Sequence, residues 1–150
     1  MDNTKTIRKI FQDSIFEVFE KMFFVFLEVS NKRRLECRLA ASIDFSGRKN
    51  GKLTVYFSEG VCDTMVRNML SIPPEEATEK LREDCVKESV NMICGDFLRN
   101  FDAATVFDLS LPGIDSVRGD VLVEEIEKEN MVSLTFGSDA GMIGVSLSFN

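Results

Sequence analysis

Apolar residues recur at helical spacing from the start of the chain. Ile7, Ile10, Phe11, Ile15, Val18, Phe19 and Met22 predict a helix from Thr6 to about Met22. An apolar stretch, Phe23–Val29, follows and ends in the basic cluster Lys32, Arg33 and Arg34. The period then changes from helical to two. Leu35, Cys37, Leu39, Ala41, Ile43 and Phe45 share one side, with Glu36, Arg38, Ser42 and Asp44 on the other, as expected of a strand with one buried face. After the turn Gly47–Gly51, Leu53, Val55 and Phe57 alternate with Lys52, Thr54 and Ser58 and complete a hairpin. Ser58 is placed to cap a short helix over Glu59–Leu70. Pro74 suits the first turn of a long helix running to about Phe101. The last third returns to alternation in four extended segments, Phe107–Leu111, Val121–Ile126, Val132–Phe136 and Ile143–Phe149.

This order predicts an α+β fold of two layers: a mostly antiparallel sheet of about six strands, with two long helices and a shorter one packed on it. No Gly/Ser/Pro linker divides residues 1–150, so a single domain is expected. A chain of 150 residues with 44% hydrophobic content is long enough to bury a core.

Charge and composition then remove whole classes of function. A net charge of −7 argues against nucleic acid and against an anionic membrane surface. The run Met22–Leu27 is far shorter than the roughly 20 residues a membrane helix needs. No apolar leader follows Lys5, Arg8 and Lys9, so a cytoplasmic location is expected. The absence of histidine excludes Ser-His-Asp and Cys-His catalysis and the commonest metal ligand. Cys37, Cys62, Cys85 and Cys94 form no C-x-x-C pair and read as reduced, buried thiols. Asp63, Asp96, Asp102, Asp115 and Asp120 match no metal-loop spacing, and no metal site is expected. Met65, Met69, Met92 and Met131 read as core filler.

Candidate chemistry concentrates on the long helix. Val86, Val90, Ile93 and Phe97 lie within one narrow arc, while Asp84, Glu88, Asn91 and Gly95 lie on the opposite one. The first stripe packs on the sheet, so the second forms an outward ridge. An outward face is ordinarily polar, which is the plainest reading of such a ridge. Three details favour more. Asp84 and Glu88 are like charges at i,i+4, an arrangement unfavourable in a helix unless a cation arrives. Asn91 and Gly95 are poor helix formers placed mid-helix, and Gly95 opens a gap through which another backbone can approach. Glu83 and Lys87, by contrast, read as an ordinary stabilising i,i+4 pair.

The run Glu88-Ser89-Val90-Asn91-Met92-Ile93-Cys94-Gly95 resembles the E-x-x-N signature helix of the CheC/CheX/FliY family of chemotaxis phosphatases, and Asp84-x-x-x-Glu88-x-x-Asn91 fits its longer form. Pro112 loosely matches the proline that the family places a little over twenty residues after the asparagine. The element order is similar across nearly the whole chain. Two-site members carry a second signature on the first helix. The frame here is Asp13-x-x-x-Glu17-x-x-Glu20, with a carboxylate where the asparagine belongs. A carboxylate repels phosphoryl oxygens and has no proton to donate, so one site per chain is expected, as in the CheX branch.

The resemblance implies a phosphatase acting on a phosphorylated, CheY-like response regulator. Asn91 would position the attacking water in line with phosphorus, and Glu88 would anchor to the regulator's active-site lysine. Asp84 and Gly95 would support that contact. The magnesium ion would be the regulator's, with no cofactor held by this chain, and a homodimer is implied. A non-catalytic adaptor of the same fold, binding regulators or switch proteins without hydrolysis, is the alternative.

Overall fold

The computed structural model describes residues 4–150. Helix α1 (Thr4–Phe23) buries Ile7, Phe11, Ile15, Val18 and Phe19, the stripe its period requires. Helix α2 spans Glu59–Leu70 and helix α3 spans Glu79–Phe101. The strands are β1 (Glu28–Ser30), β2 (Arg34–Ser46), β3 (Gly51–Ser58), β4 (Asp108–Leu109), β5 (Gly113–Asp115), β6 (Gly119–Leu122), β7 (Ile126–Lys128), β8 (Met131–Ser138) and β9 (Gly141–Phe149). They form one sheet of order β1-β8-β9-β3-β2-β4, antiparallel at every pairing. The helices cover one face, and Phe11, Phe19, Phe57, Phe97 and Phe136 are fully buried between the layers. The expected α+β sandwich is therefore the observed one.

The strand count is nine among the described residues, not about six, and short edge strands account for the difference. Strand β2 is long enough to take β4, β5 and β6 end to end along its outer edge. Leu109 and Gly113 thus pair with the same strand on either side of Pro112. The predicted strand Val121–Ile126 splits. Val121 and Leu122 end β6 on β2, while Ile126 begins β7 on β8, at the opposite edge of the sheet. Residues 123–125 cross between the two edges, as residues 31–33 do between β1 and β2. The crossings are tied together: Val123 N donates to Arg33 O (2.7 Å), and the Arg33 guanidinium meets Glu125 at 2.7 Å. The sheet curls until two short connections bridge its edges.

A register shift between Cys37 and Leu39 alters the predicted face of β2. Leu39, Ala41, Ile43 and Phe45 join the core beneath the helices. Leu35 and Cys37 are buried outside that core, because the extra residue of a β-bulge reverses which way the following side chains point. Leu35 packs instead with Val123 over Gly144, where an added Cβ would lie only 2.7 Å from Val123 Cγ2.

The helix starts also differ from expectation. Ser58 occupies the N-cap position of α2, but its hydroxyl accepts from Met142 N (3.1 Å) and leaves the helix uncapped by a side chain. Pro74 opens a short 3-10 turn, Pro74–Glu76, and α3 begins later. There Thr78 Oγ1 accepts from Leu81 N (3.2 Å), satisfying an orphan amide of the first turn.

Candidate active site

Helix α3 is held in register from both flanks. Arg82 Nε reaches Asp63 on α2 at 2.9 Å, and Glu79 forms a two-bonded ion pair with Arg38 on β2. That pair holds the Glu79 carboxyl below its ordinary range. The inner stripe, Val86, Val90, Ile93 and Phe97, is buried as predicted. Phe97 meets the Phe11 ring edge-on at 5.6 Å, locking α3 against α1.

With one stripe fixed on the core, the opposite arc faces solvent. Asp84, Glu88 and Asn91 are exposed, and Gly95 is half-buried, all on one side of α3. Asp84 is neutralised within the helix by Lys80 (3.3 Å) and by Lys87 (3.9 Å). Lys87 lies 3.9 Å from Asp84, and among the described residues no ion pair joins it to Glu83. Among the described residues, neither Glu88 nor Asn91 has a side-chain hydrogen bond or ion pair within the chain. The ridge thus presents one uncompensated carboxylate and one free carboxamide, a turn apart.

Asn91 also lines a groove of about 340 Å³ between α3 and α1. Gly95, Met92, Asp96 and Arg99 belong to the α3 side, while Val18, Met22, Glu17 and Lys21 form the α1 wall. A Cβ at Gly95 would meet no atom within 4 Å, so the position is open towards solvent. Lys21 Nζ donates to Glu17 Oε1 at 2.8 Å, and this bond raises the ammonium pKa above its ordinary 10.5. Arg99 likewise closes on Asp96 at 2.8 Å. The charges rimming the groove are internally matched, which singles out Glu88 further. From sequence, Glu17 stood only in the first-helix frame whose last position is a carboxylate, and Val18 and Met22 only in the apolar stripe of that helix.

Cys62 and Cys94 are buried, and burial pushes both thiols up to about 12, so neither is a nucleophile at neutral pH. Among the described residues no group of three or more carboxylates and thiols is arranged to hold a metal ion. No helix among them is long and apolar enough to cross a membrane.

The sequence profile of the family described as Chemotaxis phosphatase CheX matches residues 39–137. The chain belongs to the CheX family. The match includes all four ridge residues and most of the sheet, and it begins after α1. Among curated proteins, none matches the sequence. Solved CheX structures share the fold at low identity. The CheX of Vibrio vulnificus has a TM-score of 0.80 and 22% identity, covering 100% of both chains. The CheX of Desulfovibrio desulfuricans gives 0.73 and 19%, over 96% of this chain and 99% of the other. The CheX of Borrelia burgdorferi, in a complex with CheY, BeF3 and Mg+2, gives 0.69 and 15%, over 95% and 97%.

Proposed function

We propose that this CheX-family chain dephosphorylates a phosphorylated, CheY-like response regulator through the α3 ridge. The observation that carries the reading is the free pair Glu88 and Asn91, exposed beside an open groove while the neighbouring Asp84, Glu17, Lys21, Asp96 and Arg99 are all paired internally. The Borrelia burgdorferi relative, caught with CheY, BeF3 and Mg+2, supports a regulator as partner.

An aspartyl phosphate is an acyl phosphate, and the regulator supplies its own magnesium and lysine. An accelerating partner therefore needs no nucleophile and no metal. It needs to hold a water in line with phosphorus. Asn91 suits this because a carboxamide both accepts from and donates to water without titrating. Glu88 bonds the regulator's lysine with charge assistance and fixes the depth of insertion. Gly95 clears the approach. Asp84, already held by two lysines, contributes at most to keeping the face flat and neutral beside Glu88. The homodimer implied by the family and the cytoplasmic location expected from the sequence belong to the same reading, and sedimentation and cell fractionation test them.

The experiment is phosphate loss from a phosphorylated CheY-like regulator in magnesium buffer, with no addition, with this protein, and with Asn91→Ala. The expected outcome is acceleration by the wild type and a loss of about 100-fold in Asn91→Ala, with binding retained. An Asn91→Ala variant as fast as wild type would remove the water-positioning role. Binding without acceleration by the wild type would make the chain an adaptor.

A further inference from the structure

Across the end of α1 and the segment that leads to β1, exposed and buried side chains alternate. Phe23, Val25 and Leu27 are buried in the core. The exposed residues are Met22, in the last turn of α1, and Phe24 and Phe26 just beyond it, with Phe24 68% and Phe26 65% exposed. A segment apolar on both sides belongs between two packed layers. This one has a layer on one side only.

The row is built rather than loose. Phe24 sits at φ 53°, a conformation that a side chain of its size rarely adopts. It is held there by Val25 N donating to Phe19 O (3.0 Å) and by Asn68 Nδ2 donating to Phe23 O (2.7 Å). Both phenylalanines border a hollow of about 290 Å³ whose far walls are α2, at Arg67 and Asn68, and the β8–β9 turn, at Asp139. The first member of the row, Met22, is also a wall of the Asn91 groove.

From this continuity we infer that Met22, Phe24 and Phe26 form a docking surface for the response regulator, separate from the residues that act on the phosphoryl group. The inference rests on the proposed phosphatase reading, because it names how that same partner is gripped. A body that brings its phosphorylated aspartate to Asn91 covers Met22, and its surface continues over Phe24 and Phe26. Two exposed aromatics beside a hollow are the kind of anchor that dominates binding energy. The row sets affinity, while Asn91 sets the rate of the bound complex.

The test is regulator dephosphorylation measured against regulator concentration for wild type, F24S/F26S and the remote control Val106→Ser, which removes a side chain from a residue that is 88% exposed. Expected is a KM raised about tenfold or more in F24S/F26S, with kcat within about twofold of wild type and an unchanged melting temperature. Val106→Ser should match wild type throughout. An unchanged KM in F24S/F26S overturns the proposal. Loss of self-association in that variant, seen by sedimentation with KM unchanged, also overturns it and assigns the row to a second copy of the chain. Should wild type bind the phosphorylated regulator without hydrolysing it, the phosphatase reading fails alone. Docking is then read from binding titrations, where weaker binding by F24S/F26S sustains it and equal binding ends it.

Discussion

Gly95→Ala separates what the α3 ridge does for the fold from what it does for a partner. Gly95 lies well inside a helix that runs Glu79–Phe101, and its φ is not in the left-handed region. An added Cβ meets nothing within 4 Å, so the substitution introduces no clash within the chain. Alanine in place of a mid-helix glycine is worth about 1 kcal/mol, because less backbone entropy is lost on folding. For a chain of this size that corresponds to a rise of about 2–4 °C in Tm. The same methyl group projects beside Asn91, one turn along α3, into the groove through which a regulator would approach on the proposed reading. Overpacking a close contact costs about 1–3 kcal/mol. Every 1.4 kcal/mol is about a factor of ten, so kcat/KM should fall about tenfold or more. Differential scanning calorimetry and the phosphate-loss assay together give the answer. A variant that is more stable but poorer at accelerating phosphate loss is the expected result. A more stable variant with full activity would mean that the glycine is not there for clearance. A less stable one would refute the helical reasoning itself.

Two further predictions concern the scaffold. Phe97→Ala removes a fully buried ring that contacts Phe11 at 5.6 Å and stacks on Phe101 at 5.5 Å; urea unfolding should show a loss of about 3–5 kcal/mol, and a loss below about 1 kcal/mol would contradict the packing described. Cys62 and Cys94 should resist alkylation in the native protein, since burial raises both from the ordinary 9.0 to about 12. In the unfolded chain the same thiols ionise near 9.0. Their contribution to stability is therefore full below about pH 9 and is lost as pH rises from there towards 12. Urea midpoints that stay flat through this window, with thiolate absorbance showing early ionisation of the folded protein, would refute the buried assignment.

How far sequence reached depended on which interactions were local. The two faces of α3 were legible because a 3.6-residue period assigns faces without reference to anything else. Strands β3, β8 and β9 were legible for the corresponding reason at period two. Strand β2 was not fully so. Its alternation continues unbroken through Leu35, Cys37 and Leu39, while the bulge against β3 sends the first two to the opposite face. Nothing in the β2 segment itself encodes that shift, which belongs to the pairing. The division of Val121–Ile126 between two sheet edges is likewise a tertiary fact, secured by Arg33 and Glu125 from distant parts of the chain. The four ridge residues were legible as a group. The neutralisation of Asp84 by Lys87 was not, because i,i+3 and i,i+4 partners compete and spacing alone does not choose between them.

The first helix makes the case for an asymmetric site. Its frame Asp13, Glu17 and Glu20 follows the spacing of Asp84, Glu88 and Asn91, with a carboxylate in the last position. The surroundings of the two frames differ in the same sense. Asp13 is paired with Lys9 at 2.8 Å and Glu17 with Lys21 at 2.8 Å, both within α1. Glu88 has no such partner among the described residues. A carboxylate already bonded to a lysine of its own helix has to surrender that bond before it can take a partner's lysine, whereas Glu88 surrenders only water. Glu17 and Lys21 are not idle, because both border the groove that Asn91 opens onto. On the proposed reading, helix α1 serves as a charge-matched wall of the groove beside Asn91 rather than as a second site, and Met22 in its last turn borders both that groove and the exposed aromatics beyond.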